Sequence, residues 1–122
     1  MIVLDSNIII LYLNGDSKII AWINRQTRLG EKFAVSTVTV VEILTYDKMT
    51  IEAAILTENL LKRLLIVDVD ISIAREAARL RRNIKMGLAD GIIAATATTL
   101  RVPIASRDAI FKKLKDALVI VP

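Results

Sequence analysis

Apolar positions along the chain follow two rhythms: short β-branched runs, and longer stretches in which apolar side chains recur every three or four residues. Ile2-Val3-Leu4 reads as a strand, and Asp5-Ser6-Asn7 supplies capping side chains for a helix begun by Ile8 to Leu13. Asn14-Gly15 ends it. Ser17 to Leu29 sets Ile19, Ile20, Ile23 and Thr27 on one side of a second helix that stops at Gly30. A second strand is predicted over Phe33 to Ser36, then a helix through Val40, Val41, Ile43 and Leu44 with Thr37 or Thr39 as its cap. Thr50 can cap a further helix through Leu56, Leu60 and Leu64. Ile66 to Val69 is the third strand, and Asp70 or Ser72 opens a helix bearing Ala74, Ala77, Ala78 and Leu80. An Ala-rich helix over Ala89 to Leu100 follows, and Val102 to Ser106 and Leu118 to Val121 complete five strands. Strands that alternate with helices predict an α/β domain, a parallel sheet with helices on its faces.

Four carboxylates interrupt this core-like pattern. Asp5 closes the first strand and Asp108 follows the fourth, both at the carboxyl edge where open α/β sheets bind ligands. Glu42 lies in Val38-Thr39-Val40-Val41-Glu42-Ile43-Leu44, and Asp90 precedes Gly91-Ile92-Ile93-Ala94-Ala95. Taken singly, each has an ordinary structural role. Asp5 and Asp108 suit helix N-caps, Asp90 suits the first turn of a helix, and Glu42 suits an ion pair with a nearby Arg. Taken together they fare worse, since a buried ionised carboxylate costs several kcal/mol unless it is paired or binds a metal.

Composition narrows the chemistry. The 122 residues contain neither Cys nor His, which removes disulfides, thiolate and imidazole catalysis, and every Cys- or His-based metal site. Only oxygen ligands remain, and these select hard cations such as Mg²⁺ or Mn²⁺. Although 54% of residues are hydrophobic, no apolar stretch approaches the roughly 18 residues of a membrane span, and no basic leader opens the chain. A cytoplasmic protein of one domain, residues 1–122, with no membrane contact, is the expectation. Seventeen Lys and Arg oppose thirteen Asp and Glu, a formal charge of +4, and five of those cations fall between Arg75 and Lys85 against the single acid Glu76. That concentration suits phosphate, with Arg79, Arg82 and Lys85 as candidate contacts to a polyanion, although a solvated helix face has the same pattern. Lys112, Lys113 and Lys115 form a second patch.

The motifs Met1-Ile-Val-Leu-Asp5-Ser6-Asn7, Ser36-Thr-Val-Thr-Val-Val-Glu42-Ile-Leu, Leu88-Ala-Asp90-Gly-Ile-Ile-Ala-Ala-Thr-Ala97 and Ile104-Ala-Ser-Arg-Asp108-Ala-Ile-Phe111 resemble, in order and spacing, those of the PIN domain. The small prokaryotic VapC-type toxins are the nearest members. The resemblance implies a three-layer α/β/α fold with a central parallel sheet of four to five strands and an acidic pocket at its carboxyl edge. Asp5, Glu42, Asp90 and Asp108 fall on the family's metal-binding catalytic acids, and Ser6, Asn7 and Ser106 on the polar positions that orient them. It further implies a Mg²⁺- or Mn²⁺-dependent ribonuclease leaving 5′-phosphate and 3′-hydroxyl ends, often homodimeric, and silenced by a small antitoxin. Gly91 departs from the pattern where Ala is usual, and the segment after Glu42, Thr45-Tyr46-Asp47-Lys48, lacks a glycine often found there. A catalytically silent PIN-like RNA-binding or interaction module is the alternative, but it would be expected to have lost one acid. A receiver-type signalling domain would require paired acids after the first strand, which Leu4-Asp5-Ser6 does not offer.

Overall fold

Successive strand residues point to opposite faces of a sheet, so the burial of Ile2, Val3 and Leu4 alike requires helices on both sides. The computed structural model, which describes residues 1–122, provides them. The chain runs β1 (Ile2–Leu4), α1 (Ser6–Leu13), α2 (Ser17–Arg28), β2 (Phe33–Ser36), α3 (Thr37–Leu44), α4 (Ile51–Leu61), β3 (Leu65–Val67), α5 (Ile71–Asn83), α6 (Leu88–Leu100), β4 (Ile104–Ala105), a 3₁₀ helix (Ala109–Lys113) and β5 (Val119–Ile120). Ile2, Leu4, Phe33 and Val35 pack with Ile8, Ile9, Ile19, Ile43 and Leu60 from α1 to α4. Val3, Ala34 and Ile104 face Ile73, Ala77, Leu80, Ile93 and Phe111 from α5, α6 and the 3₁₀ helix. Three layers result, as the resemblance implies.

All five strands are parallel, in the order β3-β2-β1-β4-β5. Ile2 pairs with Phe33 on one side of β1, and Val3 pairs with Ile104 on the other. From β1 the chain steps outward to β2 and β3, then returns to the opposite side of β1 for β4 and β5. The connections leaving β1 and β4 therefore diverge, and the crevice between their carboxyl ends is where such sheets hold ligands. α6 packs between the sheet, α5 and α3, which is why Ile93, Ala94, Ala95, Thr96 and Ala97 are all buried.

Several predicted boundaries shift for local reasons. Ser36, not Thr37 or Thr39, caps α3: its Oγ accepts from the Val38 N–H at 3.1 Å, because β2 passes into the helix without a loop. β3 ends at Val67 rather than Val69, since its partner strand ends at Ser36. β4 and β5 shrink to two residues each, and Leu64 lies past the end of α4. Trp22 is half-buried, with its ring 5.8 Å from that of Phe33. β3 is an outermost strand, with Leu65 and Ile66 exposed. No helix is long and apolar enough to cross a membrane.

Candidate active site at the sheet edge

Asp5 stands where β1 ends, and it is 4% exposed. Its Oδ1 caps α1, accepting from the Ser6 N–H at 2.7 Å and from the Ser6 hydroxyl at 3.5 Å. Its Oδ2 accepts from the Ser106 hydroxyl at 2.7 Å. Ser106, just past β4 and fully buried, also accepts from the Asp108 N–H at 2.9 Å and from Asn7 Nδ2 at 3.3 Å. One donor and two lone pairs exhaust a serine hydroxyl. Because its proton goes to Asp5, the Asn7 amide must turn its nitrogen toward Ser106, which leaves Asn7 Oδ1 buried without a partner. Of the three residues expected to orient the acids, Ser6 and Ser106 bond Asp5 directly and Asn7 bonds only Ser106.

The other acids approach from different elements. Glu42 is half-buried on α3, with Oε1 enclosed and unpartnered. Asp90 is half-buried in the first turn of α6. Asp108 is exposed and opens the 3₁₀ helix at the surface, its Oδ1 accepting from the Ile110 N–H at 3.0 Å. Asp5 and Asp108 therefore do cap helices, and each does so with one oxygen only.

Electrostatics join the four. Burial pushes the Asp5 carboxyl above its ordinary 3.8, and the charges of Glu42 and Asp108 add to the rise against the opposing hydrogen bonds from Ser106 and Ser6. Burial likewise raises Asp90, with repulsion from Asp5 and Asp108 behind it. The structure's three ion pairs are Met1–Glu31, Arg79–Glu76 and Arg107–Asp16, so none of the four acids has a cationic partner. As the side chains lie, no three carboxylates form a group arranged to hold a metal ion. The donor set nonetheless suits a hard divalent cation: it is all oxygen, it is unneutralised, and Glu42 Oε1 and Asn7 Oδ1 are buried acceptors without donors.

The basic residues divide. Arg79 pairs with Glu76 across one turn of α5 at the surface, whereas Arg82 and Lys85 are exposed and form no ion pair. Arg81 was not singled out in the sequence, yet its stem lies across Gly91, where an added Cβ would come within 2.7 Å of Arg81 Cδ and 2.8 Å of Cγ. Its Nε donates to the Met86 carbonyl at 3.2 Å, tying α5 to the turn before α6. A glycine directly after an acid was the available signal. Thr39, fully buried one turn before Glu42 with an unpartnered hydroxyl, was also missed as more than a cap.

Known proteins bear out the architecture. A toxin-antitoxin complex from Klebsiella pneumoniae superposes with a TM-score of 0.80 at 24% identity, covering 99% of this chain and 97% of that one. VapBC2 from Rickettsia felis, bound to a DNA fragment from its promoter, gives a TM-score of 0.83 at 18% identity with 98% of both chains covered. FitAcB from Neisseria gonorrhoeae gives 0.75 at 26% identity, covering 99% of this chain and 97% of that one. No curated protein matches in sequence. The family described as PIN domain matches residues 2–117, nearly the whole length, and this chain belongs to it.

Proposed function

We propose that the protein is a metal-dependent endoribonuclease, the toxin of a type II toxin-antitoxin pair, hydrolysing RNA phosphodiesters with Mg²⁺ or Mn²⁺ held by Asp5, Glu42, Asp90 and Asp108. The observation that carries this is that Asp5 feels the charges of Glu42 and Asp108, Asp90 feels those of Asp5 and Asp108, and none of the four acids pairs with any Lys or Arg. When bound there, a divalent cation supplies a water of lowered pKa and polarises the phosphoryl group. The chain's own residues do the positioning. Ser106 and the Ser6 amide fix both oxygens of Asp5, so this acid is the rigid member of the set. Glu42 brings an oxygen that nothing else occupies, and Asp108 leaves one oxygen free of its cap. Arg82 and Lys85, on and just after α5, are exposed and unpaired, and they take up phosphate charge.

Membership of the family and the toxin-antitoxin complexes among similar structures support the toxin reading. A small antitoxin, homodimerisation and a cytoplasmic location belong to it. The surface of α4 agrees with a covered state: Ile51 is 83% exposed and Ile55 and Leu56 also face solvent, whereas Leu60, expected on that face, is buried in the core.

Incubating the protein with structured RNA, with and without Mg²⁺ or Mn²⁺, tests the reading. Cleavage is expected only with the cation, and Asp5→Asn should lower it by orders of magnitude while leaving the fold intact, because Asn also caps helices and removes a repelled charge. A rate in EDTA equal to that with cation would overturn the proposal.

A further inference from the structure

A cleft of about 420 Å³ opens between the second half of α5 and the segment joining the 3₁₀ helix to β5. Its polar wall is Arg79, Asn83, Thr98, Lys113, Lys115 and Asp116, over a floor that includes Leu80 and Leu114. Glu76, outside the lining, pairs with Arg79 and accepts from the Thr98 hydroxyl at 3.3 Å. Asp116 stands in the wall itself and forms no ion pair. Lys113 and Lys115 form no ion pair, so the cleft offers two uncommitted cations beside the neutral donor Asn83.

Two elements lead here from the acids. α6 carries Asp90 in its first turn and Thr98 eight residues on, about 12 Å along its axis. The 3₁₀ helix starts after Asp108 and ends at Lys113, about 10 Å away at its steeper rise. Both paths place the cleft about three stacked nucleotides, at ~3.4 Å each, from the acid cluster. The floor is apolar and the two ammonium groups of Lys113 and Lys115 outnumber the single free carboxylate of Asp116, which suits a sugar-phosphate strand lying across it.

We infer that this cleft is a phosphate subsite for the flanking RNA strand, with Lys113 and Lys115 contacting phosphates about three nucleotides from the bond that is cut. The inference rests on the nuclease reading. It moves strand contact away from Arg79, which serves the wall, and predicts that affinity grows with strand length until the cleft is reached.

The test is a salt series of RNA binding in an Asp5→Asn background, where cleavage is suppressed. Probes are fluorescein-labelled single-stranded RNAs of about three and about twelve nucleotides. Lys113→Ala/Lys115→Ala should weaken the longer RNA about tenfold and reduce its salt slope by about 1.4, the release expected from two single-strand phosphate contacts. The short RNA should be unaffected. Lys48→Ala/Lys62→Ala, which changes net charge equally at exposed sites, should leave the slope where it was. An unchanged slope in the first pair, an equal fall in the control pair, or an equal loss for both RNA lengths overturns the subsite. If the parent protein binds no RNA at low salt, the nuclease reading falls and the subsite with it. If it binds and the slope is unmoved, the subsite falls alone.

Discussion

Ser106 shows how one side chain can decide the state of a site. Its hydroxyl is saturated by Asp5, Asn7 and the Asp108 amide, so it holds β1, α1 and the start of the 3₁₀ helix to one point. Asp90 has no such support: no hydrogen bond reaches its carboxylate, while burial and the charges of Asp5 and Asp108 raise its pKa. Folded, it binds its proton more tightly than it does unfolded. Its penalty on stability is therefore absent below 3.8, sets in as the pH climbs past that value, and is complete above the raised native value. The α6 dipole opposes the penalty by about 0.3–1 kcal/mol, and the upward shift indicates that burial and repulsion exceed it. In metal-free buffer, Asp90→Asn should stabilise the protein by about 0.5 kcal/mol at pH 7, a rise in Tm of about 2 °C, with the gain gone below pH 3.8. Thermal melts at the two pH values decide it, and a variant that melts no higher than the parent at pH 7 would refute the account.

At the scale of elements, the α5–α6 pair is set by Gly91. Alanine normally stabilises a helix interior by about 0.8–1 kcal/mol over glycine. Here its Cβ would enter the Arg81 stem, a strain of about 1–3 kcal/mol, and swinging Arg81 away gives up its bond to the Met86 carbonyl. Gly91→Ala should therefore cost about 1 kcal/mol in urea denaturation, where propensity alone says it should gain. Adding Arg81→Ala should recover most of the loss, and purely additive effects in that cycle would dismiss the contact. Such a pairing was not legible in the sequence, because it joins residues on two helices and depends on how those helices cross. Asp5 and Ser106 were legible, because the carboxyl end of a short buried strand is a recognisable place. The 3₁₀ helix was not, being too short to display a period, although its cap Asp108 was.

For the whole molecule, the parallel sheet followed from alternating strand and helix patterns, but the order β3-β2-β1-β4-β5 did not. That order comes from where Ile73, Ala77, Ile93 and Phe111 find burial, which is long-range packing with no local signal. It sets β1 beside β4, so that Asp5 and the Asp108 amide meet at Ser106, and it leaves β3 outermost. One row of β3 peptide groups therefore lacks a strand partner, and Ile66 beside it is 41% exposed and belongs to neither core. An open apolar edge templates further strands, so this edge is expected to set where aggregation begins on warming. Ile66→Lys, whose stem can lie along the surface with its charge in water, should raise the temperature at which light scattering begins while moving Tm by no more than about 2 °C. Scattering that still tracks the melt at the parent temperature would place the sticky surface elsewhere. If the edge is responsible, one lysine converts a protein that precipitates as it loosens into one that unfolds in solution.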